Sequence, residues 1–106
     1  MFKGMGNIYK QAQKMQQDMA KVQEELKNLE IEGVSGGGVV KVVVDGKKDI
    51  KSIDIQEEIL KEEKGMVEDM VLAAIKNAME KAEKIAEDKM KTVTGGIMPG
   101  MNIPGL

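Results

Sequence analysis

Lys3, Lys10, Lys14 and Lys21 are separated by seven, four and seven residues. On a helix that advances about 100° per residue, these spacings stack the four ammonium groups within one narrow sector. No acidic residue shares that sector. A straight row of positive charge suits one kind of chemistry, the neutralisation of a regularly spaced polyanion, and a nucleic-acid backbone is the simplest such partner. Lysine is also the ordinary filler of a solvated helix face, so the row alone fits either a phosphate-docking edge or plain solubility.

The helix that must position these lysines is written in the apolar residues. Ile8, Ala12, Met15, Met19, Val22, Leu26 and Leu29 follow one another in steps of four and three. This is the seam of a long helix with a single stripe to bury. The spacing predicts a helix over 7–30, with Asn7 as its N-cap and Gly4 and Gly6 keeping the lead-in loose. Its interior is rich in Gln, Lys, Met and Glu, all good helix formers.

Beyond Gly33 the pattern becomes that of a sheet. Glu32–Ser35, Val39–Val44 and Ile50–Ile55 read as three strands of an antiparallel meander, with Asp45-Gly46 as a hairpin signal between the last two. The middle strand is apolar on both faces, Val40, Val42 and Val44 on one and Val39 and Val43 on the other. Such a strand needs cover on both sides, and the second face is expected to meet another subunit. Gln56–Glu63 reads as a short acidic helix or turn broken at Gly65. A last helix is expected over 66–91, apolar nearly all round in its first half and therefore deeply buried. Its second half narrows to Ala78, Ala82, Ile85 and Ala86, a slim stripe for close helix packing. Glu80 with Lys84, and Glu87 with Lys91, have the spacing of ion pairs that support the helix itself.

The fold class is thus α+β: a long N-terminal helix, a three-stranded antiparallel meander and a long C-terminal helix. Residues 1–94 form one domain, and 95–106 (GGIMPGMNIPGL) a flexible Gly/Pro/Met tail. The chain has 106 residues and a formal net charge of −2, so any affinity for a polyanion has to come from local charge. That charge is segregated. Asp54, Glu57, Glu58, Glu62, Glu63, Glu68 and Asp69 are countered in their stretch only by Lys61 and Lys64.

Several chemistries are excluded. There is no His, Cys, Trp or Arg. Gly33-Val34-Ser35-Gly36-Gly37 matches the letters of a nucleophile elbow, but the usual His base is missing and the segment leads into a strand rather than a helix. These glycines are expected to serve tight turning and close backbone approach. No Gly-Lys-Ser/Thr completes a phosphate loop, and the acidic stretch lacks the alternation of a calcium loop. No metal, cofactor, small-molecule substrate or enzymatic activity is expected. The lack of cysteine fits a reducing compartment, and neither a signal peptide nor a membrane span is apparent, so a soluble cytoplasmic protein is expected.

With these elements laid out, the chain resembles the YbaB/EbfC family of bacterial nucleoid-associated proteins. The resemblance rests on Lys10-Gln11-Ala12-Gln13-Lys14-Met15-Gln16 in the first helix and Gly36-Gly37-Gly38-Val39-Val40-Lys41-Val42 entering the middle strand. It extends to Gly46 at the turn, Ile53-Asp54-Ile55, Met66-Val67-Glu68-Asp69-Met70-Val71-Leu72-Ala73-Ala74, and the Gly-Met-Pro tail. It implies a homodimer whose sheets form the central body while helical arms project like tweezers. It further implies binding of duplex DNA with little sequence preference, and a role in nucleoid organisation and gene regulation. By position, Lys10 and Lys14 fall in the first-helix motif and Lys41 in the strand motif. Related sequences often carry Arg in the third strand and last helix, where this chain has only Lys.

Arginine is the commonest bidentate reader of guanine, whereas lysine is a flexible point charge matched to phosphate. The expected contacts are therefore with the backbone. Lys3, Lys10, Lys14 and Lys21 are the leading candidates; Lys41, Lys81, Lys84, Lys89 and Lys91 are secondary ones. Two other readings compete. A prefoldin-like holdase would use the same helix–hairpin–helix layout with apolar arm tips, and a protein–protein adaptor would work through the acidic stretch.

Overall fold

The computed structural model describes residues 2–95, with side chains described for 6–93. The order is α1 (Phe2–Lys27), β1 (Ile31–Ser35), β2 (Val40–Val44), β3 (Ile50–Ile55) and α2 (Lys64–Gly95). Single 3-10 turns occupy Gly36–Gly38 and Glu57–Lys61. The sheet is an antiparallel meander, β1-β2-β3. The molecule is a rod of 72 × 24 × 17 Å.

Both helices exceed their expected bounds at the N-terminus. α1 begins at Phe2 rather than at Asn7, and Gly4 and Gly6 lie inside it. Each glycine costs about 1 kcal/mol relative to alanine in a helix, but adding residues to a formed helix needs no new nucleus. α1 stops at Lys27 rather than at Glu30, where the amides of Asn28 and Leu29 bond back to the carbonyls of Glu25 and Leu26 at 3.2 Å. Gly65 falls in the first turn of α2 and does not break the helix.

The core forms where α2 crosses the sheet. Val40, Val42 and Val44 are fully buried beneath Ala74, Ala78 and Ala82, joined by Ile31 and Ile59. Gly33 of β1 lets this happen. A Cβ there would overlap the backbone nitrogen of Ala78 and the carbonyl oxygen of Ala74. The strand can approach the helix this closely only because both surfaces are nearly bare of side chain. The glycine triplet after β1 turns with positive φ at all three positions, 58°, 73° and 101°, conformations that glycine adopts without steric penalty.

The β2–β3 turn differs from a two-residue hairpin. It is a loop in which the buried Asp45 carboxylate accepts the amides of Lys47 (2.8 Å) and Asp49 (3.0 Å), and Lys48 rather than a glycine takes the positive φ. Gly46 is needed for packing instead: its amide donates to the Leu26 carbonyl at 2.7 Å, and a Cβ would lie 2.8 Å from that oxygen.

A second, smaller core joins the helices. Val22 and Leu26 of α1 bury against Val93 of α2, flanked by Met15, Met19, Ile85, Ala86 and Met90. Leu29 and Ile85 belong to both cores and tie the helix pair to the sheet. The expected burial of the whole first half of α2 is not observed within one chain. Met66 and Leu72 are about half exposed, because only the Ala74–Ala78–Ala82 face meets the sheet.

Candidate nucleic-acid interface

The seam of α1 faces α2 from Met15 onward, which fixes where its lysines point. Relative to that seam the row of Lys10, Lys14 and Lys21 lies roughly 135° around the helix at about 100° per residue. All three are exposed, and among the described residues none of them makes an ion pair or hydrogen bond. Lys3 belongs to α1, but its side chain lies outside those described. With a rise of about 1.5 Å per residue, the row from Lys3 to Lys21 extends over roughly 27 Å. Its N-terminal part is undiluted, since no acidic residue precedes Asp18.

The secondary candidates are placed differently. Lys41 lies on the sheet face turned away from α2, 3.9 Å from Glu32. Lys89 is paired with Glu25 of α1 at 3.3 Å, a contact that links the two helices. Lys81 donates to the backbone carbonyl of Glu32 at 2.9 Å. Lys84 and Lys91 are exposed on α2. The expected Glu80–Lys84 and Glu87–Lys91 pairs do not form; the ion pairs among the described residues run between elements, including Lys48 with Glu83 at 3.8 Å. An exposed i, i+4 pair gains only a few tenths of a kcal/mol, too little to hold two mobile side chains together.

Lys81 works together with Asn77, one turn earlier on α2. The Asn77 Oδ1 accepts the Val34 amide at 3.1 Å. Glu32 and Val34 carry the outward-facing backbone groups of β1, so these two side chains close that edge of the sheet. The sequence reading missed this role because i, i+4 spacing on a helix says nothing about which strand edge lies beside it. It also passed over Lys47 and Lys48, which the β2–β3 loop carries to the base of α1; their adjacency in sequence was the available signal.

The opposite edge is open. Ile31, Gly33 and Ser35 pair with Val44, Val42 and Val40, which leaves Lys41 and Val43 to pair with Asp54 and Ser52. The backbone groups of Ile53 and Ile55 therefore face outward. On the α2 side of the sheet, Ile50 and Ile53 are each 47% exposed, because α2 lies over β1 and β2 and stops short of β3.

Charge is divided along the rod. α2 packs against α1 near its C-terminal end and against the sheet through its middle, so the acidic residues from Glu57 to Asp69 lie at the end away from α1. No group of three or more acidic side chains among the described residues is arranged to hold a metal ion. No helix among them is long and apolar enough to cross a membrane.

The fold is shared with a solved structure. The chain is similar to an uncharacterized protein, HP0035, from Helicobacter pylori, with a TM-score of 0.75 and 19% identity over 90% of this chain and 98% of that one. At this identity the likeness is one of architecture. The family assignment comes from the sequence itself: the model of the YbaB/EbfC DNA-binding family matches residues 1–97, nearly the full length, and the chain belongs to that nucleoid-associated DNA-binding family.

Proposed function

We propose that this protein binds the phosphate backbone of duplex DNA as a homodimer, with little sequence preference, and so contributes to nucleoid organisation and gene regulation in the cytoplasm. One observation carries the reading. Lys10, Lys14 and Lys21 form an exposed row on the face of α1 turned away from α2, without ion-pair partners among the described residues, whereas Lys81 and Lys89 are held by other groups and Lys41 lies 3.9 Å from Glu32. Each phosphate that an unpaired lysine neutralises releases a counterion condensed on the DNA, whereas a lysine already held by a carboxylate or carbonyl has to give up that partner first. Lys3 extends the row by sequence, while Lys84 and Lys91 supplement it from α2. The acidic end of the rod repels phosphate and orients the duplex toward α1.

Binding of the purified protein to a random-sequence duplex, followed by fluorescence anisotropy across salt concentration, tests this reading. Each phosphate neutralised adds about 0.9 to the slope of log affinity against log salt. A linear fall with a slope of several units is expected. No binding at low salt would return the row to a solvated face and bring the holdase reading forward.

The homodimer is supported by the open edge of β3. An antiparallel pairing of β3 with its symmetry mate would satisfy the outward amides and carbonyls of Ile53 and Ile55 and cover Ile50 and Ile53. Asn77 and Lys81 block the same solution at β1. The variant Ile53→Glu places a charge in each half of this interface and is expected to sediment as a folded monomer. A variant that remains dimeric would put the interface elsewhere.

A further inference from the structure

We propose that the N-terminal arm of α1 lies lengthwise in the major groove of duplex DNA, with its lysine row on one phosphate wall and Gln13 at the base edges. The inference deepens the DNA-binding reading above and rests on it.

The arm is a bare cylinder. Every residue from Gly6 to Lys14 is helical and exposed, whereas α2 covers the seam from Met15 onward. Among the described residues, the side chains of Tyr9, Lys10, Gln13 and Lys14 make no hydrogen bond or ion pair. A helix with its side chains is about 10–12 Å across. The major groove, about 12 Å wide, admits such a cylinder, and the minor groove, about 6 Å wide, does not. Residues 6–14 rise by about 12 Å, roughly the length of three or four base pairs. An acidic side chain in the groove would be repelled by the phosphates on both walls, and no acidic residue precedes Asp18.

The lysine row fixes how the arm is turned. With Lys10, Lys14 and Lys21 against one phosphate strand, the floor of the groove lies about a quarter turn away, on one side of the row or the other. On the seam side α2 stands beside the helix from Met15 onward and blocks that approach. The other side is free. At about 100° per residue Gln13 lies there, roughly 80° from the row, with Gln17 one turn further along at roughly 40°; both are exposed. Tyr9 is 66% exposed. It lies roughly 120° from the row, toward the opposite strand, where its hydroxyl can donate to a phosphate. Glutamine is the side chain whose amide matches adenine in this groove, donating to N7 while accepting from the N6 amino group. The lysines on the wall supply affinity for any sequence, and one glutamine per arm adds a preference for adenine.

The test compares binding of the full-length protein to a mixed-sequence duplex with binding to two altered forms of it, by fluorescence anisotropy. In one form glucosylated hydroxymethylcytosine fills the major groove. In the other every adenine is replaced by its deaza analogue, with carbon in place of N7. Glucosylation is expected to weaken binding at least tenfold, and loss of N7 at least about threefold. In Gln13→Ala the difference between the plain and deaza duplexes should vanish, while the salt slope set by the lysines is kept. Salt-dependent binding that ignores glucosylation would overturn the groove assignment and leave the phosphate reading standing. Undiminished deaza sensitivity in Gln13→Ala would overturn the role of Gln13. No binding to the plain duplex at low salt would overturn both readings together.

Discussion

Replacing Lys10, Lys14 and Lys21 together by glutamate is expected to weaken binding to random-sequence duplex DNA by at least about 100-fold at moderate salt, a loss of roughly 2.7 kcal/mol. The estimate is built from small parts. An exposed charge–phosphate contact resembles an exposed ion pair, about 0.2–1 kcal/mol, and a dimer presents the row twice. Charge reversal removes these contacts and adds repulsion in their place. The three side chains are exposed and, among the described residues, unpaired, so secondary structure and oligomeric state should be unchanged by circular dichroism and sedimentation. The milder triple glutamine variant is the quantitative check: its salt slope should fall by roughly 2.7 per copy, three contacts at about 0.9 each. Undiminished affinity with an unchanged slope would remove α1 from the interface. A control triple at Lys41, Lys81 and Lys89 should lose much less, because those ammonium groups already have protein partners.

The second large effect concerns the fold. Gly33→Ala is expected to destabilise the protein by about 3 kcal/mol or more, the upper end of what overpacking costs. The added methyl would overlap the backbone of α2 at Ala74 and Ala78, not the flexible tip of a side chain. A helix backbone cannot yield locally; α2 would have to lift from β1 and β2, uncovering Val42 and stretching the Ser35 hydroxyl bond to the Met70 carbonyl, now 2.6 Å. For a domain of this size the shift in Tm would be about 12–24 °C, read from a thermal melt. Gly37→Ala is the comparison. Nothing lies within 4 Å of a Cβ there, so only the strain of its positive φ is at stake, about 1–2 kcal/mol. Equal destabilisation by the two variants would mean that the Gly33 contact is not what sets the distance between helix and sheet.

The glycine case shows how the sequence and the tertiary structure divide the information. The segment around Gly33 is legible as turning and close backbone approach, because a glycine-rich stretch at a strand end with no catalytic base has little else to do. Which element approaches is not legible. The small residues Ala74, Ala78 and Ala82 read as a stripe for helix packing, and only the fold shows that they meet a glycine in a strand. Gly46 is a similar case. Its place after Asp45 signals a tight hairpin, yet Lys48 bends the chain and Gly46 makes room for Leu26.

The sequence by itself determined the element order, the seam of α1, the buried face of β2 and the absence of acid from the lysine row before Asp18, since each follows from local periodicity and composition. Its helix starts fell late because glycines at 4, 6 and 65 are tolerated near helix starts when the rest of the turn is favourable, while α1 ends at Lys27, short of the expected Glu30. Tertiary structure alone decided which lysines are unpaired. Lys81 and Lys89 look no different in sequence from Lys84, but one meets the edge of β1 and the other meets Glu25, partners 49 and 64 residues away along the chain. It also decided that the β1 edge is closed and the β3 edge open. Periodicity fixes which way a side chain points on its own element, while the pairing of charges and the sealing of edges depend on where a distant element comes to rest.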